Sequence, residues 1–144
     1  MNGVEVKYTD LTLDGCTVKT TAAESSYTQN NNGPAANGFA VVSTDNTMNN
    51  TPPKPKGTIT IRGENGAYIG LIGLGSFSDM KTTYPDMQEA DYSISGGLFS
   101  TDVTKYCAEG LMAVENKDNT TNTTYPYTIG EVPSASVTEI EEHT

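Results

Sequence analysis

His143, the only histidine, lies in the final residues of the chain, so a histidine general base, a Ser-His dyad and a histidine zinc site have no residue in the patterned part of the sequence. The two cysteines, Cys16 and Cys107, each sit beside apolar residues and read as thiols acting as small hydrophobes; a single bridge between them is the other reading. Gly70-Leu-Ile-Gly-Leu-Gly75 has the glycines of a phosphate loop but neither the Lys-Ser/Thr pair nor a following helix pattern, and reads as a strand with tight corners. Carboxylates are the remaining chemistry. Asp10 and Asp14 flank one short apolar segment, and Asp79, Asp86, Glu89 and Asp91 crowd a second stretch. Either group has the composition for acid and base work on a glycosidic bond, and the second also for a calcium ion. Both read as solvated surface acids, because cleavage of anionic sugars also draws on His, Arg and Lys, and Arg62 is the only arginine. Calcium binding by the second group is left open. No catalytic residue, metal site or cofactor is assigned. Tyr27 and Tyr84, in polar stretches, are the candidate ligand-binding residues, since a loop tyrosine offers a sugar ring an apolar face and a hydroxyl at its rim.

A formal charge of −10 over 144 residues would repel nucleic-acid phosphates and anionic membrane surfaces. No segment has the length and apolarity of a membrane span, and Met1 to Asp10 lacks the apolar run of a signal peptide. Abundant Thr, Ser, Asn and Gly, with Leu, Ile and Val at strand-like spacing, make an all-β chain the expectation.

The elements that must carry these residues are visible as a repeat. Leu11-Thr-Leu-Asp-Gly15, Ile59-Thr-Ile-Arg-Gly63 and Tyr92-Ser-Ile-Ser-Gly96 all read apolar, hydroxyl, apolar, polar, glycine. Stacked as rungs, they would align Leu13, Ile61 and Ile94 inside and leave Thr12, Thr60 and Ser93 outside. Val18 and Phe99 stand three residues after the first and third glycines, where the second copy has Gly66. Phe39 to Ser43 and Ala67 to Leu74 supply further strands. Three polar insertions, Thr21 to Asn37, Thr44 to Gly57 and Ser76 to Asp91, read as loops projecting from the body. After the third copy, Ser100 or Thr101 can cap a helix of about two turns that Gly110 ends; Val103, Tyr106 and Cys107 share a face. Leu111 to Val114 and Tyr125 to Val132 read as strands around a turn.

The run Ile94-Ser-Gly-Gly-Leu-Phe-Ser-Thr-Asp-Val-Thr-Lys-Tyr, then Gly110 and Ala113-Val-Glu-Asn, resembles the closing segment of parallel β-helix domains in large surface proteins of gut bacteria. The resemblance implies a short right-handed parallel β-helix, a β-solenoid, over residues 1–132, with a helix and hairpin capping its C-terminal end at about 98–132. Residues 133–144 would be an acidic tail or linker. A β-sandwich is the alternative architecture. The implied function is that of a non-catalytic structural or adhesive module, extracellular or on the cell surface, working beside other modules of a longer parent chain. It would bind a glycan or protein through its loops, without nucleic-acid partners or membrane insertion. The alternative is a fragment of a β-helix polysaccharide lyase or glycoside hydrolase.

Overall fold

The computed structural model describes residues 1–22, 24–30, 33–45, 55–74, 77–83, 85 and 87–133. In chain order the strands are β1 (Val4–Val6), β2 (Leu11–Asp14), β3 (Thr17–Lys19), β4 (Ser26–Asn30), β5 (Gly33–Asn37), β6 (Phe39–Ser43), β7 (Thr58–Arg62), β8 (Ala67–Ile69), β9 (Leu71–Ile72), β10 (Asp91–Ile94), β11 (Leu98–Phe99), β12 (Leu111–Glu115) and β13 (Tyr127–Glu131). One short helix, α1 (Phe77–Thr83), and one 3-10 turn, Thr104–Tyr106, complete the described elements. The protein is thus mostly β, as its composition implies.

The strands form four small sheets, ordered β1-β6-β9, β10-β7-β2, β12-β13-β11-β8-β3 and β4-β5. This corrects the β-helix expectation: the sheets are separate, of three, three, five and two strands, and do not make a continuous solenoid. The ladders are short because the backbone leaves the extended region between them, as at Tyr8 (φ 55) between β1 and β2 and Gly63 (φ 95) after β7. Antiparallel pairs also interrupt the parallel order, at β4-β5, β11-β13 and β12-β13. The remaining ladders are parallel, unlike the antiparallel pairing of a β-sandwich.

The repeat nevertheless sets the register of one sheet. Leu13 pairs with Ile61 and Ile61 with Ile94; the last two are fully buried and Leu13 nearly so. Thr12 is exposed, whereas Thr60 and Ser93 are half-buried. The place three after the glycine is corrected in the second copy. There Gly63 to Gly66 form a turn closed by a Gly66 N–H bond to the Gly63 carbonyl at 3.1 Å, so Tyr68, not Gly66, joins the column with Val18 and Phe99. The Tyr68 and Phe99 rings stack at 5.1 Å.

The insertions depart further from the loop reading. The first contains the hairpin β4-β5, and the third contains α1. Tyr27 from the hairpin, Leu74 and Met87 pack with Phe39 and Val42 in a second apolar cluster, against which Ala36, Phe77 and Met80 lean. Ala40 and Val41 belong instead to the main core, so all five residues of β6 are buried. Apolar residues scattered through polar sequence are enough to fold these segments against the back of one strand. Residues 46–54 of the middle insertion and 134–144 of the tail lie outside the described residues.

The helix expected after Thr101 is a single 3-10 turn. Its would-be caps are engaged elsewhere: Ser100 Oγ accepts the Gly70 N–H at 2.9 Å and Thr101 Oγ1 donates to the Gly70 carbonyl at 3.5 Å. Asp102 Oδ1 takes the Thr104 N–H and hydroxyl, and Cys107 bridges to Ile94, which ends the turn. The hairpin β12-β13 follows. Asn116, almost fully buried, organises its long loop by donating to the Thr121 hydroxyl and the Tyr125 carbonyl and accepting the Asp118 N–H.

Candidate functional site

Of the two tyrosines expected to bind ligand, Tyr27 is placed otherwise: it is a strand residue, 8% exposed, and its ring anchors the hairpin to Phe39 and Val42. Tyr84 lies outside the described residues. The first carboxylate group is engaged in holding chain segments. Asp10 Oδ1 accepts the Thr58 N–H at 2.9 Å, and Asp14 pairs with Arg62 at 3.1 Å across the β2-β7 ladder. Asp86 of the second group is also outside the described residues, and Asp79 lies in the first turn of α1. Glu89 and Asp91 each face a lysine. Among the described residues, no three His, Cys, Asp or Glu side chains gather as a metal site.

The structure does assemble a polar rim at the start of β10, where the chain from Glu89 to Tyr92 passes between the Lys56 segment and the 3-10 turn. Lys56 Nζ meets Asp91 Oδ1 at 2.9 Å on the surface. Lys105 Nζ stands 5.3 Å from the centre of the Tyr106 ring and 3.7 Å from Glu89 Oε2. That oxygen is buried, and Lys105 attracts it from beyond hydrogen-bond range. The Glu89 side chain is 19% exposed. Burial pushes its pKa up, against the opposing charge of Lys105, a hydrogen bond from Tyr106 and the more distant charge of Lys56.

Tyr106, beside Lys105, packs on Tyr92. The Tyr92 and Tyr106 rings meet at 4.5 Å and 53°, the tilted contact that aromatic quadrupoles favour. Tyr92 hydrogen-bonds the backbone of Ser43, and burial followed by the neighbouring Tyr106 raises its pKa far above the ordinary tyrosine range. Below, the buried carboxylate of Asp45 accepts the N–H groups of Tyr8 and Gly57, the latter at 2.8 Å, while its own carbonyl accepts the Gln88 N–H at 3.0 Å. Asp45 thereby ties together three segments distant in sequence. Sequence reasoning missed it: an aspartate in a polar Thr- and Asn-rich stretch carries no sign of burial.

Cys16 and Cys107 are free, half-buried thiols against the main core, as expected of small hydrophobes. Burial, then the negative charge of Asp102, raises the Cys107 pKa and keeps it from ready thiolate formation. Among the described residues, no helix is long and apolar enough to cross a membrane. No known family model, curated protein or solved structure matches the chain.

Proposed function

We propose that this protein is a non-catalytic binding module that takes a polar ligand, a glycan or the surface of another protein, against the rim of Lys56, Glu89, Asp91 and Lys105. One observation carries the reading: the carboxylates divide into two kinds. Asp10 and Asp45 hold backbone N–H groups and so belong to the framework. Lys56, Asp91 and Lys105 are instead exposed and carry both signs of charge, and Lys105 lies beside the Tyr106 ring. Exposed ion pairs contribute little to stability, which leaves their charges available to hydroxyls or charges on a partner. The packed Tyr106 ring beside Lys105 lowers the cost of ordering that side chain on binding.

The test is a glycan array probed with the whole chain and with Lys56→Ala/Lys105→Ala. Binding by the parent that the double variant loses, with unchanged circular dichroism, supports the rim. Glycan binding that survives in the variant overturns it. Release of reducing sugar from plant or mucin polysaccharides, abolished by Asp10→Ala or Asp14→Ala, overturns the non-catalytic reading.

A further inference from the structure

The Lys105 ammonium stands between two groups of different character. One is the Tyr106 ring, its centre 5.3 Å from the nitrogen; the other is Glu89 Oε2, 3.7 Å away. The ring is fixed, because Tyr106 is buried, packs on Tyr92 and crowds Gly73. The backbone around Lys105 is fixed as well. Thr104 donates its N–H and hydroxyl to Asp102 and accepts the Ala113 N–H at 3.1 Å, and the Cys107 N–H returns to the Thr104 carbonyl. That leaves the long lysine side chain, 52% exposed, as the part with rotamer freedom.

Glu89 is placed to govern that freedom by changing its own charge. Its Oε2 is buried without a hydrogen bond, so its hold on Lys105 is electrostatic and ends when the carboxyl takes a proton. The groups facing Glu89 from neighbouring segments are Lys105 and Tyr106 on the 3-10 turn, Tyr92 on β10, Lys56 before β7 and, across Tyr92, the buried Asp45. Ammonium and phenol groups ordinarily titrate well above neutrality. Asp45 is held by the Tyr8 and Gly57 N–H groups, and Lys56 pairs with Asp91 at 2.9 Å. Burial, opposed by Lys105 and Tyr106, moves the Glu89 titration upward, toward neutrality.

We propose that Glu89 is a proton-operated latch on Lys105, and that release of the latch turns the ammonium toward a sulfate ester on a bound glycan. The inference rests on the reading of the rim as a glycan-binding surface. Ionised Glu89 and the sulfate compete for one ammonium; protonated Glu89 does not compete. A sulfate ester suits the arrangement because it keeps its charge throughout the range in which a glutamate titrates. By linkage, the bound sulfate in turn favours the protonated carboxyl.

Lysine side-chain NMR tests the latch on the unliganded chain, with the Lys105 ammonium signal assigned by its loss in Lys105→Arg. From about pH 4 to 7 that signal should follow a titration whose midpoint coincides with that of the Glu89 carboxyl carbon, and Glu89→Gln should abolish it. A Lys105 signal indifferent to pH, or one titrating identically in Glu89→Gln, overturns the latch whatever the rim binds. Titration of the whole chain with 6-sulfated N-acetyllactosamine, against the unsulfated sugar as control, tests the second half. Affinity should rise about two- to fivefold on passing to the acid side of the Glu89 titration, the scale of one half-exposed ion pair. Glu89→Gln should show the tighter value throughout. Sulfated and unsulfated sugars bound alike, or a pH dependence that survives in Glu89→Gln, overturns the proposal. Absence of binding at every pH, with Lys105 still titrating with Glu89, supports the latch and overturns the sulfated glycan as its ligand.

Discussion

The ring of Tyr106 lies against Gly73: a Cβ built on Gly73 would fall 2.4 Å from the ring Cζ and 2.6 Å from the hydroxyl oxygen. The close approach fixes the tyrosine that contacts Tyr92 and bonds Glu89. Gly73 also has φ 66, a conformation costly for any residue with a Cβ. Gly73→Ala therefore combines backbone strain with displacement of the ring. We expect a loss of roughly 2–4 kcal/mol in chemical denaturation, together with a change in the near-ultraviolet tyrosine signal.

Asp45 makes a second, sharper prediction. Its buried carboxylate is the acceptor for the N–H groups of Tyr8 and Gly57. Asp45→Ala leaves two backbone donors without that acceptor, at a cost of about 3 kcal/mol. Tyr8, a non-glycine residue at φ 55, loses one of the contacts that hold it there. Faster hydrogen exchange at Tyr8 and Gly57, beyond the rest of the chain, would identify the cause. Stability equal to that of the parent would contradict the role assigned to the carboxylate.

Glu89 makes stability depend on pH in a particular direction. Its folded pKa is raised by burial, so the folded protein holds this proton more tightly than the unfolded chain does. The contribution is fully present below the unfolded glutamate value near ~4.3 and is lost as pH rises through the higher folded value. Asp102 and Asp118 act oppositely. Hydrogen bonds from Thr104 and Thr120 lower their folded pKa values, so their contributions are present above the unfolded aspartate value near ~3.9 and lost as pH falls through the folded ones. Glu89→Gln removes only the first component. Denaturation midpoints of parent and variant should therefore change relative to each other, in the variant's favour, as pH rises from about 4 to 7. A constant difference across that range would contradict the assignment.

Much of the strand pattern was legible because alternation and glycine punctuation are local. Leu13, Ile61 and Ile94 align as their shared pattern implies, and Gly110 is left-handed as expected, though in the Ala108–Leu111 turn and not at the end of a helix. What the sequence did not disclose depends on distant partners. The Gly63 to Gly66 turn shifts Tyr68 into the place assigned to Gly66, and Gly70 engages the hydroxyls expected to cap a helix. Similar short segments also fit a continuous solenoid and four separate sheets, and only the long-range pairing distinguishes them. Of the rim, Glu89 and Asp91 drew notice as acids, but their lysine partners come from elsewhere in the chain. Tyr27 stood out for its polar neighbours, yet the apolar surface that buries it belongs to β6.

Strand β6 supplies one wall to each of two apolar clusters, and all five of its residues are buried. Its tolerance to sequence change should therefore differ from that of β2, where Thr12 faces solvent and can vary without disturbing packing. From Phe39 to Val42 no alternate position is free to become polar, so evolution has fewer neutral routes through these residues than through a rung with an exposed face. The same restriction explains why this strand reads as a continuous apolar run, because a segment with two dry sides has no reason to alternate.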